Sequence, residues 1–262
     1  MSAPTTIPQI IVMQPYRLFL LVASVGLLGS CSSDPSTGGK NGTARVIFVH
    51  AITDTGSVDV RVATKLTVPF TAVPYGSGTE YQSVSSGALS FTVQSSPSTG
   101  VDTPMPLTNL SGIAVSNGAA LTILAAGQVK DTANARAVGI TAYLDDVSVP
   151  VSGQARLRII NASSDAGALD VYATAVNSVQ SATPTYAGID FRSALTRTVP
   201  AGSYLLTITP LSDPATVLAQ AGVTLPSSAA QTVIVRGIAG PLPSGTPASR
   251  RIATTVTTNV AP

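Results

Sequence analysis

Tryptophan is absent from this 262-residue chain, and cysteine and histidine occur once each. A single cysteine forbids an intrachain disulfide, and with a single histidine it forbids a zinc cage of the usual Cys/His kind. Charge is scarce: 10% of the residues carry it, against about a quarter in ordinary soluble domains. Lys plus Arg number 14 and Asp plus Glu 12, a net of +2. So few basic residues cannot blanket a phosphate backbone, and nucleic acid is not an expected partner. Surface helix formers are also lacking, since Glu80 is the one glutamate and Lys40, Lys65 and Lys130 are the lysines. Hydrophobic residues reach 44%, which argues against disorder and for a packed core.

Long hydrophobic runs are missing too. The most apolar stretch, Arg17 to Ser30 (RLFLLVASVGLLGS), is shorter than the roughly 20 residues that span a bilayer. It has the layout of a secretory signal: a charged start, an apolar middle and small residues at the end. It stops at the only cysteine. Leu28, Gly29, Ser30 and Cys31 together resemble the bacterial lipobox. That resemblance implies cleavage by a lipoprotein signal peptidase, palmitate-type acyl chains on Cys31, and a membrane partner held through that anchor. Ser32 in place of an aspartate implies the outer membrane within the cell envelope. Met13 is an alternative start that would give a tidier signal over residues 13–30. Residues 31–43, rich in Ser, Gly and Thr, are expected to be a flexible tether reaching roughly 40 Å.

The remainder is written twice. The segment ARVIFVHAITDTGSVDV from Ala44 aligns with ARLRIINASSDAGALDV from Ala155. Val115 to Gly127 aligns with Leu225 to Gly237, and Gly87 to Val93 with Gly202 to Ile208. Three ordered matches at a spacing of about 110 residues predict two domains of ordinary size, 44–149 and 155–262. Leu89, Phe91 and Val93 alternate with polar residues, as a strand with one wet face requires. Val233, Ile234 and Val235 run together, as in a strand covered on both faces. Turn signals such as Asp54-Thr55-Gly56 separate these runs. The expected fold is all-β: two tandem antiparallel sandwiches of the immunoglobulin or fibronectin type III kind.

The repeated blocks resemble a bacterial and archaeal family, domain of unknown function 4397. In the second copy RLRIINASSDAGALDVY, VPAGSYLLTI and AAQTVIVRG carry the likeness; the first copy follows it more loosely. The family has no established activity, so the resemblance implies architecture and an extracytoplasmic location but no mechanism.

Candidate sites are few. Asp54 and Asp165, with Gly56 and Gly167, sit in the loop after the first strand of each copy. They read as Asx turns shaping that loop, ahead of a cation or sugar ligand. Asp59 and Asp170 follow in the next strand, where cross-strand pairs with Arg45 and Arg156 are expected. A calcium site needs six or more oxygens, more than Asp54 and Asp59 supply. His50 with Asp54 or Asp165 is the one arrangement that would suit a hydrolase. No G-x-S-x-G elbow accompanies it, however, and the second copy has Asn161 at the matching place. Asp145-Asp146 reads as a solvated linker, Arg250-Arg251 as a small basic spot in a C-terminal strand, and three Asn-X-Ser/Thr sequons mean little in a bacterium. No cofactor, metal or catalytic residue is expected. The expected role is a non-enzymatic binding or structural module, meeting a glycan or protein through loops such as Tyr75 to Tyr81.

Overall fold

The computed structural model describes residues 42–63, 70–97, 105–131 and 135–258. The described residues contain strands, turns and one 3-10 turn (Ala248–Arg250), and no α-helix. No helix among them is long and apolar enough to cross a membrane.

The first copy holds β1 (Thr43–Ile52), β2 (Val58–Val62), β3 (Phe70–Val73), β4 (Gln82–Ser85), β5 (Gly87–Ser95), β6 (Pro106–Val115), β7 (Ala120–Gly127) and β8 (Gly139–Asp145). The second holds β9 (Gln154–Ala162), β10 (Leu169–Ala175), β11 (Tyr186–Ile189), β12 (Ala194–Pro200), β13 (Gly202–Pro210), β14 (Ala219–Leu225), β15 (Ala230–Arg236) and β16 (Ala253–Thr258). Each copy is a sandwich of two four-stranded sheets. The orders β4-β1-β7-β8 and β3-β2-β5-β6 reappear strand for strand as β12-β9-β15-β16 and β11-β10-β13-β14. Pairing is antiparallel except between β1 and β7 and between β9 and β15, which run parallel. The fold is therefore two tandem β-sandwiches, each closed by one parallel pair that joins its first strand to its seventh.

Alternation decides which residues reach each core. Val46 and Phe48 on β1, Leu89, Phe91 and Val93 on β5, and Leu121 and Ile123 on β7 fill the first. Leu157, Ile159, Leu206, Ile208, Val233 and Val235 fill the second. The residues between them on β1, β7, β9 and β15 point the other way and are buried as well. Val49, Ala51, Leu124 and Ala126 meet Ile160, Ala162 and Ile234 in a third apolar cluster. That cluster packs the outer face of one sandwich against the outer face of the other. It explains why β7, ALTILAAG, is buried at every position, and why Ile234 is buried between two core valines. The two sandwiches accordingly belong to one compact unit.

Gly127 and Gly237 end the matching strands β7 and β15. Both have positive φ, 122° and 106°, a region that disfavours any Cβ. A Cβ on Gly127 would lie 2.6 Å from the Ala137 carbonyl oxygen, and one on Gly237 would strike the Arg251 carbonyl. This close approach lets the next segment fold back onto the strand end.

Candidate functional site

The loop after the first strand is built alike in both copies. The Asp54 carboxylate accepts the backbone N–H groups of Val129 at 2.7 Å and Lys130 at 2.9 Å. The Asp165 carboxylate accepts those of Ala239 at 2.9 Å and Gly240 at 3.0 Å. These are not Asx turns within the loop. Each carboxylate uses both oxygens to clamp the segment that leaves the seventh strand, far away in sequence. Charge-assisted bonds of this kind are the stronger sort, and they fix the mouth of each sandwich.

His50 and Asn161 do one job with different side chains. The Gly56 carbonyl lies 2.8 Å from His50 Nε2, and the Ile52 N–H donates to Nδ1 at 3.3 Å. A carbonyl can only accept, so the proton sits on Nε2 and the ring is neutral. Asn161 Nδ2 donates to the Gly167 carbonyl at 2.8 Å, and its Oδ1 accepts the Ser163 N–H at 3.0 Å. Burial holds His50 down at a pKa of about 4, against the pull of its Gly56 bond and with a smaller push from the Arg250 charge. Both ring nitrogens are engaged by the backbone, and both oxygens of Asp54 and Asp165 likewise.

Asp59 and Asp170 support bulges. Asp59 accepts the N–H of Ala72 at 2.8 Å and the hydroxyl of Ser96. Asp170 accepts the N–H groups of Gly188 at 2.8 Å and Ser212 at 2.9 Å. Ala72 and Gly188 are the left-handed residues of the irregular edge strands, at φ 50° and 65°. The cross-strand pairs expected of Asp59 with Arg45 and Asp170 with Arg156 do not form. Arg45 lies over the Tyr81 ring, and Arg156 bonds Asp146 at 2.9 Å.

Groups from the two copies converge where the sandwiches meet. Asp145 is not a solvated linker residue. Its side chain is wholly buried and bonded to Arg158 of the second copy at 2.7 Å. Thr122 donates to Asp145 at 2.8 Å, Tyr81 donates to it at 2.6 Å, and Arg158 also bonds Thr122 and Thr232. Tyr143 caps the group: Arg158 lies over its ring and its hydroxyl donates to the Arg192 carbonyl at 2.8 Å. Burial pushes the Tyr143 hydroxyl up to about 12, so it stays a donor.

The Tyr75 end of the Tyr75 to Tyr81 loop is engaged inside the molecule. Arg250 sits 3.8 Å over the Tyr75 ring, Arg236 sits 5.0 Å over it, and Thr255 donates to the Gly76 carbonyl. Arg250 lies in the 3-10 turn and not in a strand. It reaches into the first copy to donate to the carbonyls of Thr55 at 2.6 Å and Ile52 at 3.3 Å. Beside it lies a groove of about 270 Å³, walled by Thr55, Asp54 and Lys130 of the first copy and Ser244, Thr246 and Arg250 of the second. Hydroxyls, one carboxylate and two cations give it a polar lining. Sequence reasoning missed this groove, because its walls lie nearly two hundred residues apart and only the first, around Asp54 and Gly56, carries a motif. Asp54 in its repeated loop and Arg250 beside a turn-rich C-terminal stretch were the signals, and nothing along the chain joined them.

Leu28, Gly29, Ser30, Cys31, Met13 and most of the expected tether lie outside the described residues. Thr43, placed in the tether by the sequence, already pairs in β1. Among the described residues no three of His, Cys, Asp and Glu gather as metal ligands.

No curated protein matches the chain. Among solved structures, the Bacillus anthracis TIE protein is similar over 84% of this chain at 10% identity and a TM-score of 0.26. The chain spans 44% of that protein's length. A family model described as "Domain of unknown function (DUF4397)" matches residues 44–172. The match takes in the first sandwich from Ala44 onward, the looser copy by its motifs, and continues through β9 into β10. Over residues 44–172 the chain is thus similar to the DUF4397 family.

Proposed function

We propose that the chain is a lipoprotein of the bacterial cell envelope. It is anchored through Cys31 in the outer membrane and serves as a non-enzymatic binding or structural module for a glycan or protein. One observation carries the non-enzymatic part. The groups that could do chemistry, His50, Asp54 and Asp165, spend their polar atoms on backbone groups of their own fold. A hydrolase built on His50 would need a ring nitrogen facing substrate and a carboxylate behind the ring. The geometry gives that reading no support. The hydroxyl-lined groove between the copies supports a polar ligand such as a sugar.

Labelling cells with a radioactive fatty acid, with Cys31→Ala as control, tests the anchor. Label on the wild type alone, with the variant released from the membrane fraction, is the expected result. Equal membrane retention of the variant refutes it. Protease added to intact cells then separates an outward-facing module from a periplasmic one. Turnover of any substrate by the purified protein, abolished by His50→Ala, would overturn the non-enzymatic reading.

A further inference from the structure

The two facing sheets have the same strand order, and their contact has an approximate two-fold character. The Gly76 carbonyl of the first copy accepts from Thr255 on the last strand of the second. The Arg192 carbonyl, at the matching loop of the second copy, accepts from Tyr143 on the last strand of the first. The apolar part is just as even-handed, with Val49 and Leu124 opposed to Ile160 and Ile234. Apolar contact alone would therefore let either copy pair with its own kind on a neighbouring chain.

The Arg158–Asp145 pair breaks this evenness. The repeat alignment places Ile47 of the first copy where the second has Arg158. The strand β16, which corresponds to β8, reads ATTVTT and carries no carboxylate. In a pair of first copies Asp145 would face Ile47. In a pair of second copies Arg158 would face Thr232 and a strand without an acid. Either arrangement buries a charge without its counter-ion, among the costliest defects an interface can carry. The mixed pair alone satisfies both charges, together with the hydroxyls of Thr122, Tyr81 and Thr232. We infer that the outer sheet of each copy is an interaction surface built to accept the other copy and refuse its own kind, with Arg158 and Asp145 as the deciding residues. The consequence is a chain that closes on itself instead of linking to its neighbours.

The test uses complete chains. Asp145→Arg buries two cations at the contact and Arg158→Asp buries two anions, so each variant alone should lose the docked arrangement. Each sandwich keeps its own apolar core, so undocking need not unfold it. In an equimolar mixture the first copy of one variant matches the second copy of the other. Native mass spectrometry should then show mixed dimers exceeding either self-dimer by about tenfold or more. Asp145→Arg with Arg158→Asp in one chain should return the wild-type monomer. The inference is overturned if a mixture forms no mixed dimers, or if either single variant keeps the wild-type mass and unfolding midpoint. Failure of the double reversal to restore the monomer overturns it as well.

Discussion

The first and second sandwiches reach the same hydrogen bonds with different residues, and the difference shows what the repeat requires. His50 and Asn161 each present a donor to a glycine carbonyl and an acceptor to the N–H two residues on. The atoms are needed there, and the residue type is not. Asp54 and Asp165 are the same in both, because only a carboxylate offers two charged acceptors side by side to consecutive N–H groups. Ala72 and Gly188 occupy the same left-handed bulge, and the alanine carries a strain that the glycine avoids. Ile47 and Arg158 differ most, and that difference faces the partner sandwich, not either copy's own core. The copies agree where a bond holds a loop and diverge where they meet each other.

Making the copies alike at these positions breaks or sharpens the comparison. Arg158→Ile gives the second copy the residue of the first and leaves Asp145 buried without its cation. A loss of about 3–5 kcal/mol is expected in denaturant unfolding. His50→Asn gives the first copy the residue of the second. In the wild type the unfolded chain takes up the His50 proton near pH 6.5, while the folded chain refuses it down to about pH 4. The contribution is therefore intact above pH 6.5 and is lost as pH falls towards 4, by roughly 3 kcal/mol. His50→Asn should flatten that part of the stability–pH curve, and an unchanged slope would assign the acid loss elsewhere.

Smaller effects follow from the clamps and bulges. Asp54→Ala and Asp165→Ala should each cost about 2 kcal/mol, nearly equally, since each removes two bonds to one charged group. Hydrogen exchange should quicken at Val129 and Lys130 in the first variant and at Ala239 and Gly240 in the second. Ala72→Gly should stabilise the first copy by up to about 1 kcal/mol, and Gly188→Ala should cost about 1–2 kcal/mol in the second. Thermal melts of the pair would show opposite shifts.

Much of the architecture was legible along the chain. The alternation in Leu89, Phe91 and Val93 is local, so β5 could be read directly. The unbroken run Val233-Ile234-Val235 announced a strand covered on both sides, which β15 is. The loop aspartates stood out through repetition, yet their partners did not. The N–H groups that Asp54 holds belong to Val129 and Lys130, and backbone groups carry no sequence signature. The role of Asp145 is hidden from the sequence for a related reason. Next to Asp146 it looks like one of two solvated acids, whereas strand alternation turns one outward to water and the other into the contact with Arg158.

The sequence by itself determined two copies, their all-β character and the strand faces, because periodicity and turn chemistry act over a few residues. Only the tertiary structure decided that the copies share a buried face. It also turned Tyr75 inward against Arg236 and Arg250, and made a polar groove from residues nearly two hundred positions apart. These features depend on which outer faces exclude water together, and on which buried charge finds its counter-ion. That is settled between surfaces, after each strand has already chosen its own.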